Sequence, residues 1–340
     1  MSRMKVMIAG LGSIGRRHFR NLRALGVDDL VLLRKNLSTL PDDELAGFPV
    51  ETDIVSALEK HKPDAVVVAN PSATHLEIAI PAAKAGCAIL LEKPISHTMD
   101  GVEELQQAAT TNGARILVGF QFRFHPTLQK AREIIMGGGI GKVLSVHSHW
   151  GEYLPNWHPW EDYRQSYAAR QDLGGGVVVT LSHPIDYLRF LIGEMADTQS
   201  LHGRISPLQL SGVEDCAEIA VQFANGAIGG IHLNYFQRPP AHRLEVVGTQ
   251  GTLRWDNADG TLTHWTMPDS FGVISAEPGA PLVTKHELPA GFDRNDLFLA
   301  QTRHFMDVAA GTAQPLCSLE DGVQALRIAL QVRAGNLSGF

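Results

Sequence analysis

Val6-Met7-Ile8-Ala9-Gly10-Leu11-Gly12-Ser13-Ile14-Gly15 is the stretch on which the fold turns. A short apolar run ends in glycine and passes into G-x-G-x-x-G. Helical spacing then takes over, with Ile14, His18, Leu22 and Leu25 on one stripe and Gly26 as the stop. In a strand–turn–helix of this kind the first glycine permits the tight turn. The second lets a pyrophosphate approach the backbone, and the third lets helix pack on strand. Unpaired N–H groups at the helix start favour an anion. Gly10, Gly12, Ser13, Ile14 and Gly15 are therefore a candidate dinucleotide loop; the plain alternative is a glycine-rich turn with no ligand.

The pattern repeats downstream. Residues 30–33, 65–69, 88–91 and 116–120 are short apolar runs, and residues 54–61, 74–85 and 101–110 carry helical patterns between them. Continuously apolar strands separated by helices indicate a parallel sheet covered on both faces, in a doubly wound Rossmann arrangement. Beyond residues 121–125 the character changes. A helix is expected over 126–136, an alternating strand over 142–150, and a loop rich in aromatics and charge over 151–172. Gly174-Gly175-Gly176 opens one long apolar-periodic segment reaching residue 191. Closely spaced alternating runs between 198 and 265 predict an antiparallel sheet, and helices over 297–310 and 319–331 close the chain. The expected domains are 1–121 and 122–340.

Composition narrows the classes. The chain has 340 residues, 44% hydrophobic and 19% charged, with a net charge of -7. That is globular composition with no Lys/Arg block, so neither nucleic acid nor an anionic membrane is an expected partner. Cys87, Cys216 and Cys317 lie far apart without C-x-x-C, which suits a reducing cytosol. No signal-length or membrane-length apolar run is present, and a soluble cytoplasmic protein is expected.

Three further segments fall just after predicted strands. Leu32-Leu33-Arg34-Lys35-Asn36 offers no carboxylate for a ribose 2′-hydroxyl. Arg34 and Lys35, with Ser38 as an extra donor, suit a 2′-phosphate, so NADP(H) is favoured over NAD(H); the alternative is two solvated cations. Asn70-Pro71-Ser72-Ala73-Thr74-His75 lies at the sheet edge where ligands bind, making Asn70, Pro71 and His75 candidate cofactor contacts, unless Ser72 or Thr74 merely caps the next helix. In Glu92-Lys93-Pro94 a lysine stands between a carboxylate and a proline, where partial desolvation lowers an ammonium pKa and suits proton exchange with a reacting hydroxyl.

Gly10 to Gly15, Glu92-Lys93-Pro94, Gly174-Gly175-Gly176 followed by His183-Pro184-Ile185-Asp186, and the closing Ser318-Leu319-Glu320-Asp321-Gly322 together resemble the Gfo/Idh/MocA oxidoreductase family over the whole chain. The resemblance implies an N-terminal Rossmann domain and a C-terminal α/β domain on an open, mostly antiparallel sheet. It also implies NAD(P)-dependent oxidation or reduction of sugars, polyols or nucleotide sugars, and a homodimer or homotetramer joined through the open sheet face. It assigns catalysis to Lys93 and His183, and makes Glu92 and Lys93 neighbours of the cofactor. An acid often found shortly before the histidine is replaced here by Thr180, which is no base at neutral pH. Asp186, at i+3 from His183, is a candidate to orient the imidazole.

The loop from Glu152 to Arg164 interleaves aromatic faces with hydrogen-bonding groups, as a sugar ring requires. Tyr153, Trp157, His158, Tyr163 and Arg164 are candidate substrate contacts, along with Lys93, Arg123, Thr180 and His183; a loop tucked onto the core or a subunit contact is the alternative. His147 and His149 share a strand face, but no third ligand is tied to them by spacing, and no metal is expected. The expected reaction moves a hydride between a nicotinamide dinucleotide and a secondary alcohol, with Lys93 and His183 handling the hydroxyl proton. Two other readings stand beside it: a glycosidase working by transient oxidation with NAD, and a non-catalytic dinucleotide-binding regulator.

Overall fold

The computed structural model describes residues 4–35, 41–274 and 279–335, so the Ser38 expectation lies outside the described residues. The chain forms two compact units. One comprises Met1–Gln121, Asp172–Gly174 and Asp293–Leu326; the other comprises Phe122–Gln171, Gly175–Phe292 and Arg327–Phe340.

The first unit runs β1 (Val6–Ala9), α1 (Ser13–Ala24), β2 (Leu30–Leu33), β3 (Val50–Glu51), α2 (Ile54–His61), β4 (Ala65–Val68), α3 (His75–Lys84), β5 (Ala88–Leu91), α4 (Val102–Asn112) and β6 (Ile116–Val118). The strands form one parallel sheet in the order β3-β2-β1-β4-β5-β6, the doubly wound arrangement expected. Every residue of β1, β2, β4 and β5 is buried, which is why these runs carry no polar alternation. Helix α1 ends as its sequence predicts. Gly26 takes φ +80°, and the Val27 N–H donates back to the Leu22 carbonyl at 3.0 Å.

The second unit contains α5 (Pro126–Met136), β7 (Val143–Tyr153), α6 (Val177–Thr180), α7 (His183–Ile192), β8 (Met195–Gly203), β9 (Cys216–Phe223), β10 (Ile228–Asn234), β11 (Phe236–Gly248), β12 (Gly251–Asp256), β13 (Thr261–Thr266) and β14 (Leu282–His286). Two further helices close the chain. These are α8 (Arg294–Ala310), which belongs to the first unit, and α9 (Leu319–Ala334), whose residues are divided between the units. The second sheet has the order β14-β13-β12-β11-β7-β10-β9-β8 and is antiparallel except between β7 and β10. One face is buried and the other open. In β9, Ala217, Ile219, Val221 and Phe223 point inward while Glu218, Ala220 and Gln222 are exposed.

The expected single segment from the triple glycine to residue 191 is two helices, broken at Leu181–Ser182. Pro184 is the reason. It lacks an N–H and is tolerated only in a first turn, so the helix restarts at His183. Among the described residues no helix is long and apolar enough to cross a membrane.

Candidate functional site

The carboxyl edge of the parallel sheet gathers the first unit's candidates. Gly10 has φ +87°, and a Cβ there would lie 2.6 Å from the Asn70 nitrogen. A Cβ on Gly15 would lie 1.9 Å from the Gly10 carbonyl oxygen, so packing demands both glycines. Gly12 is different: nothing lies within 4 Å of where its Cβ would be, and α1 starts beside it with no side-chain cap. Open space over unpaired helix N–H groups is what a pyrophosphate needs, so this loop fits a dinucleotide. Ser13 is exposed and Ile14 half-buried beside it. At the end of β4, Asn70 donates from Nδ2 to Thr74 Oγ1 at 2.6 Å, while its buried Oδ1 has no hydrogen-bond partner among the described residues. Pro71 is exposed next to it.

Arg34 departs from expectation. Its two Nη atoms donate to both oxygens of Asp42 at 2.9 and 2.8 Å, and Arg16 donates to the same carboxylate at 2.7 Å. Hydrogen bonds from Arg34 first and Arg16 second hold the Asp42 carboxyl down at about 2. A carboxylate therefore does stand at the end of β2. It arrives from the following segment, where spacing along the strand does not reveal it. Lys35 is exposed.

Lys93 follows β5 and is half-buried. Glu92, expected beside the cofactor, turns inward. It is buried, with Oε1 accepting from His18 Nε2 at 2.7 Å and Oε2 lying 3.4 Å from the Lys93 N–H. The backbone closes over it, since a Cβ on Gly119 would lie 2.9 Å from Oε2. His75, expected beside the cofactor, is likewise enclosed. It is buried, with Nδ1 2.9 Å from the Pro94 carbonyl and Nε2 2.8 Å from the Asn70 carbonyl. Burial holds its pKa below the usual imidazole value. Both groups brace the turns at this edge.

In the second unit His183 is the first residue of α7 and almost buried, its ring 5.0 Å from that of Phe122 and 5.3 Å from that of Trp150. Thr180, which ends α6, is buried; the Tyr235 hydroxyl donates to the Ala168 carbonyl at 3.4 Å, and burial pushes its pKa well up. Asp186 serves Arg123: the guanidinium donates to it at 2.8, 3.0 and 3.1 Å, and both side chains are buried. Arg123 also lies 5.1 Å from the centroid of the Phe190 ring. Arg123, expected as a substrate contact, and Asp186, expected to orient His183, thus meet in a buried ion pair.

The aromatic loop divides. Trp157 packs edge-on against Tyr235 at 5.7 Å, and the buried Trp157 Nε1 and His158 Nδ1 have no hydrogen-bond partner among the described residues. Buried polar atoms left so suit a ligand. Tyr153 lies 4.5 Å below the Arg238 guanidinium. Arg164, expected to grip a substrate, is held by Asp162 at 2.6–2.9 Å and reaches Gln209 at 3.0 Å, while the Tyr163 hydroxyl accepts from the Gln209 N–H at 3.1 Å. These two side chains tie the loop to the 209 segment. The reading from sequence missed His18, Asp42, Phe122 and Trp150. Only His18 left a signal, as a histidine set in an apolar helical stripe.

Residues 4–120 match the family model described as oxidoreductase family, NAD-binding Rossmann fold, and residues 128–254 match the GFO/IDH/MocA C-terminal domain model. The chain is 26% identical to a myo-inositol 2-dehydrogenase of Thermotoga maritima, over 95% of this chain and 93% of that one. It is 28% identical to a scyllo-inositol 2-dehydrogenase (NAD(+)) of Bacillus subtilis, over 77% and 75% respectively. In fold it resembles a levoglucosan dehydrogenase solved with NADH and levoglucosan, with a TM-score of 0.82, 22% identity and 97% of each chain covered.

Proposed function

Because the chain belongs to the Gfo/Idh/MocA oxidoreductase family, we propose that it is a nicotinamide-dinucleotide-dependent dehydrogenase or reductase of a sugar, polyol or nucleotide sugar. The observation that carries this reading is the makeup of one sheet edge. The open Gly12 position and uncapped α1 stand at the end of β1, and the E-K-P lysine stands at the end of β5. The inositol dehydrogenases it resembles support a polyhydroxylated substrate.

Gly10, Gly12, Ser13, Ile14 and Gly15 would hold the pyrophosphate against α1, with Asn70 beside it. The chemistry supplied by a nicotinamide dinucleotide held there is hydride transfer to or from a carbinol carbon. Lys93 donates a hydrogen bond to the carbinol oxygen and steadies the negative charge that develops on it. His183 takes up or returns the hydroxyl proton, its ring oriented by Phe122 and Trp150. Trp157 and His158 contribute apolar face and polar edge to the sugar. Lys93→Ala is expected to lower kcat about 10²–10⁴-fold while leaving the dinucleotide Kd nearly unchanged, measured by steady-state kinetics and NADH fluorescence. Retained turnover would remove Lys93 from the reaction. Product formed in step with absorbance at the nicotinamide band separates a dehydrogenase from a glycosidase that oxidises only transiently.

The cofactor choice follows from Asp42. Its carboxylate already satisfies Arg34 and can accept a hydrogen bond from a ribose 2′-hydroxyl, whereas a 2′-phosphate would have to displace it. This favours NAD(H), against the preference for NADP(H) that Arg34 and Lys35 suggest by themselves. A cytoplasmic setting is supported by three free thiols, Cys87, Cys216 and Cys317. Self-association through the open face of the eight-stranded sheet belongs to the same proposal, and light scattering tests it.

A further inference from the structure

Lys93 sits between two residues that are each held by a buried imidazole. On its N-terminal side Glu92 accepts from His18 Nε2 at 2.7 Å, and the second carboxylate oxygen turns to the Lys93 N–H. His18 is 0% exposed and its ring is edge-on to Phe298, so it has no freedom to follow a moving carboxylate. On the C-terminal side the Pro94 carbonyl lies 2.9 Å from His75 Nδ1, and His75 is 1% exposed. The two imidazoles come from the two segments that shape the dinucleotide loop. His18 is on α1, one turn beyond Gly15, and His75 opens α3 directly after the Asn70 loop, whose carbonyl its Nε2 also touches at 2.8 Å. Neither ring is needed to fill an apolar gap; an aliphatic or aromatic side chain would do that without polar atoms to satisfy.

We propose that His18 and His75 are positioning residues that fix the backbone on either side of Lys93, and so set where its ammonium stands relative to a dinucleotide held at Gly10–Gly15. The proposal rests on the reading that Lys93 acts on the carbinol oxygen. Displacement of a reacting group by about 1 Å costs on the order of a hundredfold in rate, so a slackened E-K-P turn is felt in kcat before it is felt in binding.

The test compares His18→Ala and His75→Ala with conservative partners. His18→Gln keeps a donor at the Nε2 position, and His75→Asn keeps one at the Nδ1 position. Two readouts are taken on the purified full chain. One is kcat against NADH Kd. The other is the pH dependence of Lys93 acylation by an amine-reactive ester, read by peptide mass spectrometry in the absence of substrate. The alanine variants are expected to lose about tenfold or more in kcat with Kd little changed, and the conservative variants to recover most of it. The midpoint of Lys93 acylation is expected to move in the alanine variants and return in the conservative ones. An unmoved acylation midpoint in all four variants, or a kcat loss matched by an equal loss of dinucleotide affinity, overturns the positioning role. If an alanine variant does not fold, His18→Leu or His75→Leu replaces it, filling the space without a donor: its acylation midpoint must move, and an unmoved one overturns the positioning role. Acylation needs no turnover, so it tests the positioning even where Lys93→Ala shows the lysine to be dispensable for the reaction.

Discussion

Single residues decide the chemistry at the sheet edge, and Asp42 is the sharpest case. Arg34 was legible as a cation after β2, but its meaning depends on a carboxylate eight residues later that folds back onto it. The carboxyl is held at about 2, so the pair stays charged throughout the neutral range and the cofactor preference it sets does not vary with pH there. Asp42→Asn is expected to tighten NADPH binding about tenfold to a hundredfold relative to NADH, the worth of charge-assisted hydrogen bonds transferred to a 2′-phosphate. Fluorescence titration with both reduced dinucleotides measures it, and an unchanged ratio refutes the assignment. His125 carries a second residue-scale prediction. Packed against Phe122 and Trp255, its imidazole is pushed by burial down to about 4 from 6.5. Between those values the unfolded chain binds the proton and the folded one does not. The contribution of His125 is therefore fully present above pH 6.5 and is lost as pH falls towards 4, at about 1.4 kcal/mol per pH unit. His125→Gln should flatten that part of the urea-stability profile; an identical slope would show that other groups produce it.

Helix α7 shows how an element is placed by one buried contact. Its first turn carries both His183 and Asp186, and the Asp186 carboxylate is locked to Arg123 where both are nearly inaccessible. Removing one partner of a buried pair strands the other charge, so Asp186→Ala is expected to cost about 3–5 kcal/mol in urea unfolding. A loss below about 1 kcal/mol would mean that the guanidinium finds another partner. The sequence offered Asp186 by spacing from His183, but i+3 geometry cannot say which neighbouring element will claim the carboxylate. The same limit governs the strands. β9 was readable because its inward and outward residues alternate cleanly. β14 was not, because all but its last residue are exposed and no apolar face remains to read. β11 spans Phe236–Gly248, but Pro239 and Pro240 interrupt its alternation where the pairing with β7 slips between Phe236 and Ala241.

At the scale of the whole molecule the sequence located the two sheets but not the membership of the last helices. An apolar stripe shows that a helix is buried on one side; it does not name the surface that buries it. Asp293–Leu326 belongs with the dinucleotide-binding unit, about 170 residues after that unit's first segment ends. There Asn295 donates to Asn21 Oδ1 at 2.8 Å, and Phe298 meets His18. The Cys317 carbonyl accepts from the Val118 N–H at 2.9 Å, and Gly322 lies so close to Ile95 that a Cβ would come within 2.6 Å. A fragment ending at residue 121 therefore keeps the six-stranded sheet and the glycine loop but loses the cover over α1 and the carboxyl end of β6. Such a fragment is expected to lack a cooperative thermal transition and to bind NADH far more weakly than the full chain. Fusing residues 293–326 to it through a flexible linker should restore both, because the apolar surface and the support for His18 return together. Differential scanning calorimetry and NADH fluorescence on the two fragments decide the matter: a cooperative melt with full dinucleotide affinity in the shorter one would show that the late helices are accessory to a domain that ends at residue 121.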